Sequence, residues 1–269
     1  MAEITAKDVK ALRDATGAGM MDAKRALTEC DGDFDRAVAW LRERNLGKAA
    51  ERAGNENAQG AVAVAVTPDG TSAALVELKS ETDFGAKSPQ FVALVNELAE
   101  AVAADGDAVV QARKDAIDDL KVTLKENIEL GRVVRFQAEA GAVIGTYLHV
   151  QNDRGVNGVL LELAGGDAEL AHDLAVHVAF GRPQYLSRED VPADAVAEER
   201  ATAERQTRLE GKPEAALEKI VEGKLTGWFK RVPGGVLLEQ PYAKDDKKSV
   251  QQVLGSAKVV RFAQAVIGE

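Results

Sequence analysis

The feature that most constrains the fold is an internal repeat of two short segments. The tetrapeptide Val-Val-Arg-Phe occurs at residues 133–136 and again at 259–262. Leu75-Val-Glu-Leu78 precedes the first copy, and Leu160-Leu-Glu-Leu163 precedes the second, each followed by a loop and a helical pattern. Because these matches occur in the same order with the same types of element, they predict two related αβ halves. We therefore expect a duplicated αβ core of antiparallel sheets with helices packed on them.

The two halves differ in the loop that follows the first repeated segment. The first half has Glu81-Thr-Asp-Phe-Gly-Ala-Lys87, whereas the second has Ala164-Gly-Gly-Asp167. An aromatic residue in such a loop either packs into its own core or anchors a partner, since binding residues concentrate in loops. The local pattern alone favours core packing for Phe84. The comparison of the halves favours binding, because the second half folds without an aromatic residue at that place.

Helical patterns and turn residues divide the rest of the chain. Residues 1–46 carry apolar residues at helical spacing in three short stretches, with Thr5 as the first N-cap, and Met21 and Leu27 are predicted core residues. Residues 107–130 are also predicted to be helical, and Ser187–Asp190 is predicted to cap a long helix. The predicted fold class is therefore α+β. The chain divides into a three-helix head at 1–46, a linker at 47–60 and a first αβ half at 61–140. A second αβ half at 141–182 and 232–269 is interrupted by an antiparallel helical hairpin at 183–231.

Charge and composition exclude several classes of protein. The net charge of −10 and the pI of about 5.0 argue against a surface that follows nucleic-acid phosphates. A single cysteine, Cys30, allows no intramolecular disulfide, which fits a reducing cytoplasm. No stretch of about 18 consecutive apolar residues is present, so no membrane partner is expected. We expect a cytoplasmic protein that acts on another protein or on a small molecule.

The sequence offers little support for catalysis, for a cofactor or for a metal site. Gly-Lys pairs occur without the spacing of a phosphate-binding loop, and no Ser or Cys nucleophile motif is present. His149, His172 and His177 do not have zinc-ligand spacing. One alternative stays open at this point, an enzyme with a divalent metal bound by Glu81 and Asp83.

Two segments resemble the signatures of one family, bacterial elongation factor Ts. The first is Leu12-Arg-Asp-Ala-Thr-Gly-Ala-Gly-Met-Met-Asp-Ala-Lys-Arg-Ala-Leu27, and the second is the stretch from Glu77 to Lys87 with its Thr-Asp-Phe core. Alanine 23 stands where cysteine is common, Lys79 where asparagine is usual, and Gly85 where valine is usual. The Gly85 departure predicts a less rigid loop, so a valine at position 85 is expected to stiffen it.

The resemblance implies a function and a set of site residues. It implies a ubiquitin-associated-like head and a guanine nucleotide exchange factor, without covalent catalysis, that acts on GDP-bound and nucleotide-free elongation factor Tu. The Asp83-Phe84 loop would enter the GTPase domain near its magnesium and phosphate site, so magnesium belongs to the partner. The implied partner-binding residues are Thr82, Asp83, Phe84, Gly85, Ala86 and Lys87 in the loop, Arg13, Thr16, Gly17, Ala18, Gly19 and Met20 in the head, and His177 in the second half.

Three questions stay open from the sequence. His177 aligns with a Met-His-Ile-Ala-type segment of the family and is either a core residue or an interface residue. A homodimer through the helical hairpin is neither required nor excluded. The alternative function is a ubiquitin-associated-like adaptor that binds proteins without promoting nucleotide exchange.

Overall fold

The computed structural model describes residues 4–16, 18–50, 52 and 54–269, and describes residues 45–50 by their backbone alone. Within this part of the chain, helices form the N-terminal region, and antiparallel sheets with packed helices follow. The predicted α+β class is confirmed. Among the described helices, none combines the length and the apolar character that crossing a membrane requires.

Three helices form the head: α1 (Ala6–Thr16), α2 (Met20–Glu29) and α3 (Phe34–Ala50). Thr5 begins α1 as predicted, because its Oγ1 accepts a hydrogen bond of 3.3 Å from the amide of Asp8. Leu27 is buried, but the prediction that Met21 belongs to the core is wrong, since Met21 is 76% exposed. The buried face of α2 is formed by Ala23, Ala26 and Leu27. Met21 lies about 200° around the helix from Ala23 and therefore faces solvent.

The first half of the core is a three-stranded antiparallel sheet with the order β1-β2-β3. Its strands are β1 (Gln59–Val66), β2 (Ser72–Ser80) and β3 (Glu129–Gln137), and its helices are α4 (Asp83–Ala86), α5 (Pro89–Asp105), α6 (Val109–Ala112) and α7 (Lys114–Leu124). The prediction of helix throughout 107–130 is wrong at its C-terminal end. Lys125 adopts a left-handed conformation with φ of 59°, which ends α7 before β3 begins.

The second half has the same arrangement of three antiparallel strands, β4-β5-β8. These strands are β4 (Ala142–Gln151), β5 (Arg154–Ala164) and β8 (Lys258–Val266); the half also contains α8 (Ala168–Gly181), β6 (Pro241–Tyr242), β7 (Asp245–Ser249) and α11 (Val250–Leu254). The two Val-Val-Arg-Phe copies lie in β3 and β8, each of which pairs with the middle strand of its sheet.

A helical hairpin formed by α9 (Ala193–Leu209) and α10 (Glu214–Phe229) interrupts the second half. The predicted cap at Ser187–Asp190 is present, but it belongs to a single 3-10 turn at Arg188–Asp190. Helix α9 begins after Pro192, a residue that supplies no side-chain cap. The segment before the hairpin is tied to the core, because the amides of Leu237 and Leu238 donate to the carbonyls of Tyr185 and Leu186.

The two sheets pack against each other through one face of each. Because side chains alternate along a strand, Leu75 of β2 and Leu160 of β5 point into this contact, while Val76 and Leu161 point to the helix side. Gly158 permits the close approach, since a Cβ there would lie 2.6 Å from Cγ1 of Val62. The helix-covered faces form two separate apolar cores.

Candidate functional site

The loop that joins β2 to α5, residues Glu81–Ser88, is called the Phe84 loop below. Two caps fix its backbone. The amide of Gly85 donates to Oγ1 of Thr82 at 3.1 Å, which starts the single turn of α4. The amide of Phe91 donates to Oγ of Ser88 at 3.3 Å, which starts α5 with Pro89 at its first position. The loop is thus a short helical turn between two capped ends rather than an irregular segment.

Phe84 points away from the core of its own half. Its side chain is 83% exposed, whereas Phe91 on the next helix is fully buried. The ammonium of Lys87 lies 5.7 Å from the centre of the Phe84 ring. Gly85 and Ala86 are buried, and Ala86 packs into the core of the first half. The loop therefore uses its small residues for packing and leaves its one aromatic residue in solvent.

Asp83 is a charged neighbour of the exposed ring. Its carboxylate pairs with the ammonium of Lys87, one helical turn away. That hydrogen bond holds the pKa of the Asp83 carboxyl below its ordinary value, and the nearby charges of Lys87 and Arg154 act in the same direction. Asp83 is therefore ionised at neutral pH, and the loop presents an apolar ring beside a negative charge.

Two carboxylates, Glu81 and Glu126, connect the loop to the segment between α7 and β3. The sequence does not single them out as a pair. Glu126, in the connection between α7 and β3, accepts hydrogen bonds from Oγ of Ser80 at 2.5 Å and from Oγ1 and N of Thr82 at 2.5 and 3.2 Å. In return, Glu81 accepts a hydrogen bond of 2.5 Å from the amide of Asn127 and one of 3.0 Å from Nδ2 of Asn55. These partners lie more than 25 residues apart in the chain, so no local pattern predicts them.

These contacts bear on the metal alternative for Glu81 and Asp83. The two carboxylates engage different donors, Glu81 the amides of Asn55 and Asn127 and Asp83 the ammonium of Lys87. In the part of the chain that the structure describes, no group of three His, Cys, Asp or Glu side chains could hold a metal ion. The geometry gives the metal alternative no support.

The candidate residues of the head lie around the turn between α1 and α2. Arg13, Gly19 and Met20 are exposed, Thr16 is half-buried and Ala18 is buried in the head core, while Gly17 lies outside the described residues. Oγ1 of Thr16 donates to the carbonyl of Leu12 at 2.6 Å, which ties the turn to α1. The exposed part of this group is therefore Arg13, Gly19 and Met20.

A cleft of about 470 Å³ lies between the head and the first half of the core. Thr16 from the end of α1 and Gln90 from the start of α5 both line it. An ion pair of 3.3 Å between Arg42 and Asp119 joins α3 to α7 beside it. The turn of the head therefore faces the helix that follows the Phe84 loop, although among the described residues no hydrogen bond or ion pair joins the two candidate sites.

The structure places His177 in the core of the second half. It is 1% exposed. Its Nδ1 accepts a hydrogen bond of 3.1 Å from the amide of Ala243, so its Nε2 is the protonated nitrogen and donates to Oε1 of Gln240 at 3.0 Å. Burial lowers the pKa of His177, and the hydrogen bond to Gln240 only partly opposes this effect. In the free protein this side chain is part of the packing and is not available at the surface.

The fold and the Phe84 loop together define an α+β protein with a duplicated core, a helical head and an exposed aromatic residue on a fixed loop. The family model for "Elongation factor TS" matches residues 81–269. The chain is 47% identical to elongation factor Ts of Streptomyces griseus and 48% identical to that of Acidothermus cellulolyticus, over the whole of both chains in each case. It is 46% identical to elongation factor Ts of Mycolicibacterium vanbaalenii, again over both whole chains.

The chain therefore belongs to the elongation factor Ts family, as the two signatures predicted. The matched range begins at Glu81, the first residue of the Phe84 loop, and the full-length matches include the head as well. Its role is that of an elongation factor.

Proposed function

We propose that this protein acts in translation by promoting the release of GDP from elongation factor Tu, so that GTP can replace it. The observation that carries the proposal is the exposure of Phe84, 83%, on a loop that is capped at both ends. The side chains of Asp83 and Phe84 would enter the partner near its magnesium and phosphate site. Family membership supports the choice of partner.

The physical basis of exchange is linkage between two binding equilibria. If the protein binds nucleotide-free elongation factor Tu more tightly than the GDP-bound form, GDP must bind the complex more weakly by the same ratio. No covalent step is required. Burying one phenylalanine ring in the partner supplies about 1.5–3 kcal/mol. If that contact forms only in the nucleotide-free state, it shifts the equilibrium roughly tenfold to a hundredfold.

The fixed backbone of the loop makes this contact more effective. A flexible loop would lose conformational freedom on binding, and that loss would oppose association. The caps at Thr82 and Ser88 and the hydrogen bonds to Glu126 have already ordered this segment in the free protein. The ionised carboxylate of Asp83 beside the ring would add repulsion toward the phosphates of bound GDP.

We propose a second contact through the exposed face of the head around Arg13, Gly19 and Met20, with Thr16 beside it. The turn that carries these residues faces the start of α5 across the cleft lined by Thr16 and Gln90. The head and the Phe84 loop could then contact one partner together. His177 is buried in the free protein, so we assign it to the packing of α8 rather than to this interface.

The experiment that tests the proposal measures release of labelled GDP from purified elongation factor Tu with and without this protein. Phe84→Ala is the test variant, and Phe180→Ala, which removes another exposed phenylalanine, 63% exposed at the end of α8, is the matched control. We expect the wild type and the control to accelerate release, and Phe84→Ala to do so about tenfold to a hundredfold less, as the burial of one ring predicts. Binding without acceleration by the wild type would instead indicate the adaptor function.

A further inference from the structure

The buried backbone of Gly85 makes room for a carboxylate from a distant part of the chain. A Cβ built on Gly85 would lie 2.5 Å from Cδ of Glu126, closer than real Cβ atoms approach their neighbours. Gly85 lies in the helical turn of α4 and does not adopt the left-handed conformation that requires glycine. Space, rather than backbone geometry, therefore limits position 85, because a side chain there would have to displace the carboxylate of Glu126.

The carboxylate that fills this space is held in place by the loop above it. Oγ of the buried Ser80, Oγ1 of Thr82 and the amide of Thr82 all donate to Glu126. Oγ1 of Thr82 also accepts the hydrogen bond from the amide of Gly85. Hydrogen bonds to an ionised carboxylate are about twice as strong as neutral ones. Glu126 thus hydrogen-bonds the N-terminal end of the turn that carries Phe84 and lies against Gly85 within it.

The connection that carries Glu126 is itself anchored. The amide of Asn127 donates to Glu81, so the loop and the connection each bind a carboxylate from the other. Nδ2 of Asn127 donates to the carbonyl of Asn55 at 3.0 Å, and Arg52 donates to the carbonyl of Lys125. The position of Glu126 is therefore determined by the first αβ half and by the segment that enters it.

We propose that Glu126 is a positioning residue for the Phe84 loop: its carboxylate occupies the space that a side chain at position 85 would fill, and it orients the turn that presents Asp83 and Phe84. This inference rests on the proposed function for its consequence, faster release of GDP. It also makes a structural claim that activity alone does not decide. Positions 85 and 126 should be coupled, because one space accommodates either the carboxylate or a side chain at position 85.

The test is a double-mutant cycle of Gly85→Val and Glu126→Ala. Glu126→Ala removes hydrogen bonds to a charged group, and Gly85→Val displaces the same carboxylate, so each single variant should release GDP about tenfold more slowly than the wild type. In the double variant, the valine side chain enters the space that Glu126 has vacated. We expect release by the double variant to be about threefold or more faster than by Gly85→Val alone. Glu129→Ala, a nearby exposed carboxylate that accepts a hydrogen bond from Asn57, is the control and should match the wild type.

A second measurement reports on the loop without the partner. Amide hydrogen exchange of residues 80–88 should be faster in Glu126→Ala than in the wild type, while exchange in the middle of α5 should be unchanged. Glu126→Gln retains the shape of the side chain and should lie between the two in both measurements. If Glu126→Ala does not fold, Glu126→Gln replaces it in the comparison of loop exchange with the wild type.

The outcomes separate this inference from the proposed function. Slow release with Phe84→Ala together with normal release and normal loop protection in Glu126→Ala or Glu126→Gln would overturn the positioning role alone. Additive effects of Gly85→Val and Glu126→Ala would overturn the shared-space claim. Normal release with Phe84→Ala would overturn the proposed function and with it the consequence drawn for Glu126.

Discussion

The two halves of the core reach their packed helices in different ways. In the first half, residues 81–88 separate β2 from α5 and form the extra turn of α4. In the second half, residues 165–167 are enough to join β5 to α8. There Gly165 has a φ of 70°, and Oδ1 of Asp167 accepts a hydrogen bond of 2.8 Å from the amide of Leu170, which caps the helix directly. Three residues are therefore enough to join the middle strand to its helix in this fold. The extra turn of α4 and the exposed Phe84 are not required for that connection.

The interior of the two halves is more alike than their loops. Each repeated segment places a buried glutamate, Glu77 or Glu162, on the face between the sheets. Glu77 accepts a hydrogen bond of 3.0 Å from the amide of Arg132, and Glu162 pairs with Arg261 at 2.7 Å. Glu162 is fully buried and also accepts a hydrogen bond from the amide of Glu139, so its charge is well compensated. The halves therefore share a packing scheme, and only the first half carries an exposed ring in the connection between its middle strand and the helix that follows.

The largest expected effect comes from exchanging the loops. Replacing residues 81–88 by the sequence of residues 165–167 should preserve a folded core, because the second half closes with that connection, and should reduce GDP release to the rate without the factor. Circular dichroism would measure folding, and labelled GDP release from elongation factor Tu would measure function. The reciprocal control, with residues 81–88 in place of 165–167, should retain acceleration through the intact first half. A short-loop variant that still accelerates release would place the exchange element elsewhere.

The second expected effect contrasts two phenylalanines of the first half. Phe91→Ala should lower the free energy of unfolding by about 3–5 kcal/mol, because it empties a fully buried site. Phe84→Ala should change that free energy by less than about 1 kcal/mol, as surface substitutions usually do. Urea unfolding measures both. A large loss of stability in Phe84→Ala would mean that the ring packs into its own core in solution.

Much of this architecture follows from periodicity in the sequence. The repeated segments predicted the middle strand and one outer strand of each sheet. The missed features depend on competition between local signals. Ser187 carries a capping box and was expected to start the long helix. Pro192 follows within about one turn, however, and α9 begins only after it.

The candidate site was predictable only in part, for a physical reason. The candidate residues of the Phe84 loop are consecutive, so the sequence of Thr82, Asp83 and Phe84 was enough to single them out. Glu126 contacts that loop from 44 positions away, and the segment around it continues a helical pattern that only the conformation of Lys125 ends. Valine at position 85 is expected to do more than stiffen the loop, since its side chain would have to displace the carboxylate of Glu126.

The third prediction concerns the hairpin that interrupts only the second half. The pairing of residues 185–186 with residues 237–238 belongs to the core, so we propose that the removable unit is Ala193–Phe229, joined by a short glycine-serine linker. Exchange should stay within about twofold of the wild type, because the first half carries the loop and surface changes have small effects. Leu209 at the hairpin tip is 88% exposed, and sedimentation of both proteins would show whether the hairpin supports a homodimer. Loss of exchange in a folded deletion variant would assign the hairpin a direct role.

The smallest expected effect concerns a difference between the two packed helices. The buried face of α5 is entirely apolar, whereas that of α8 includes His177, which contacts Gln240 and lies 5.7 Å from the ring of Tyr242. Burial lowers the pKa of His177 below its ordinary value of 6.5. The unfolded chain therefore binds a proton at pH values where the folded chain keeps this histidine neutral. The stability linked to neutral His177 is present above about pH 6.5 and is lost as the pH falls from there through the lower pKa of the folded state.

Urea unfolding at pH 7.5 and at pH 5.5 measures this loss. The wild type should be less stable at pH 5.5, and His177→Gln should show a smaller difference, because glutamine can still hydrogen-bond but cannot take up a proton. His149→Gln, which replaces an exposed histidine in the same half, is the control and should retain the difference seen in the wild type. Carboxylates shared by all three proteins contribute equally to each, so the comparison isolates position 177. An equal pH dependence in wild type and His177→Gln would mean that the histidine is already accessible to protons in the folded chain, and the claim that burial lowers its pKa would be wrong.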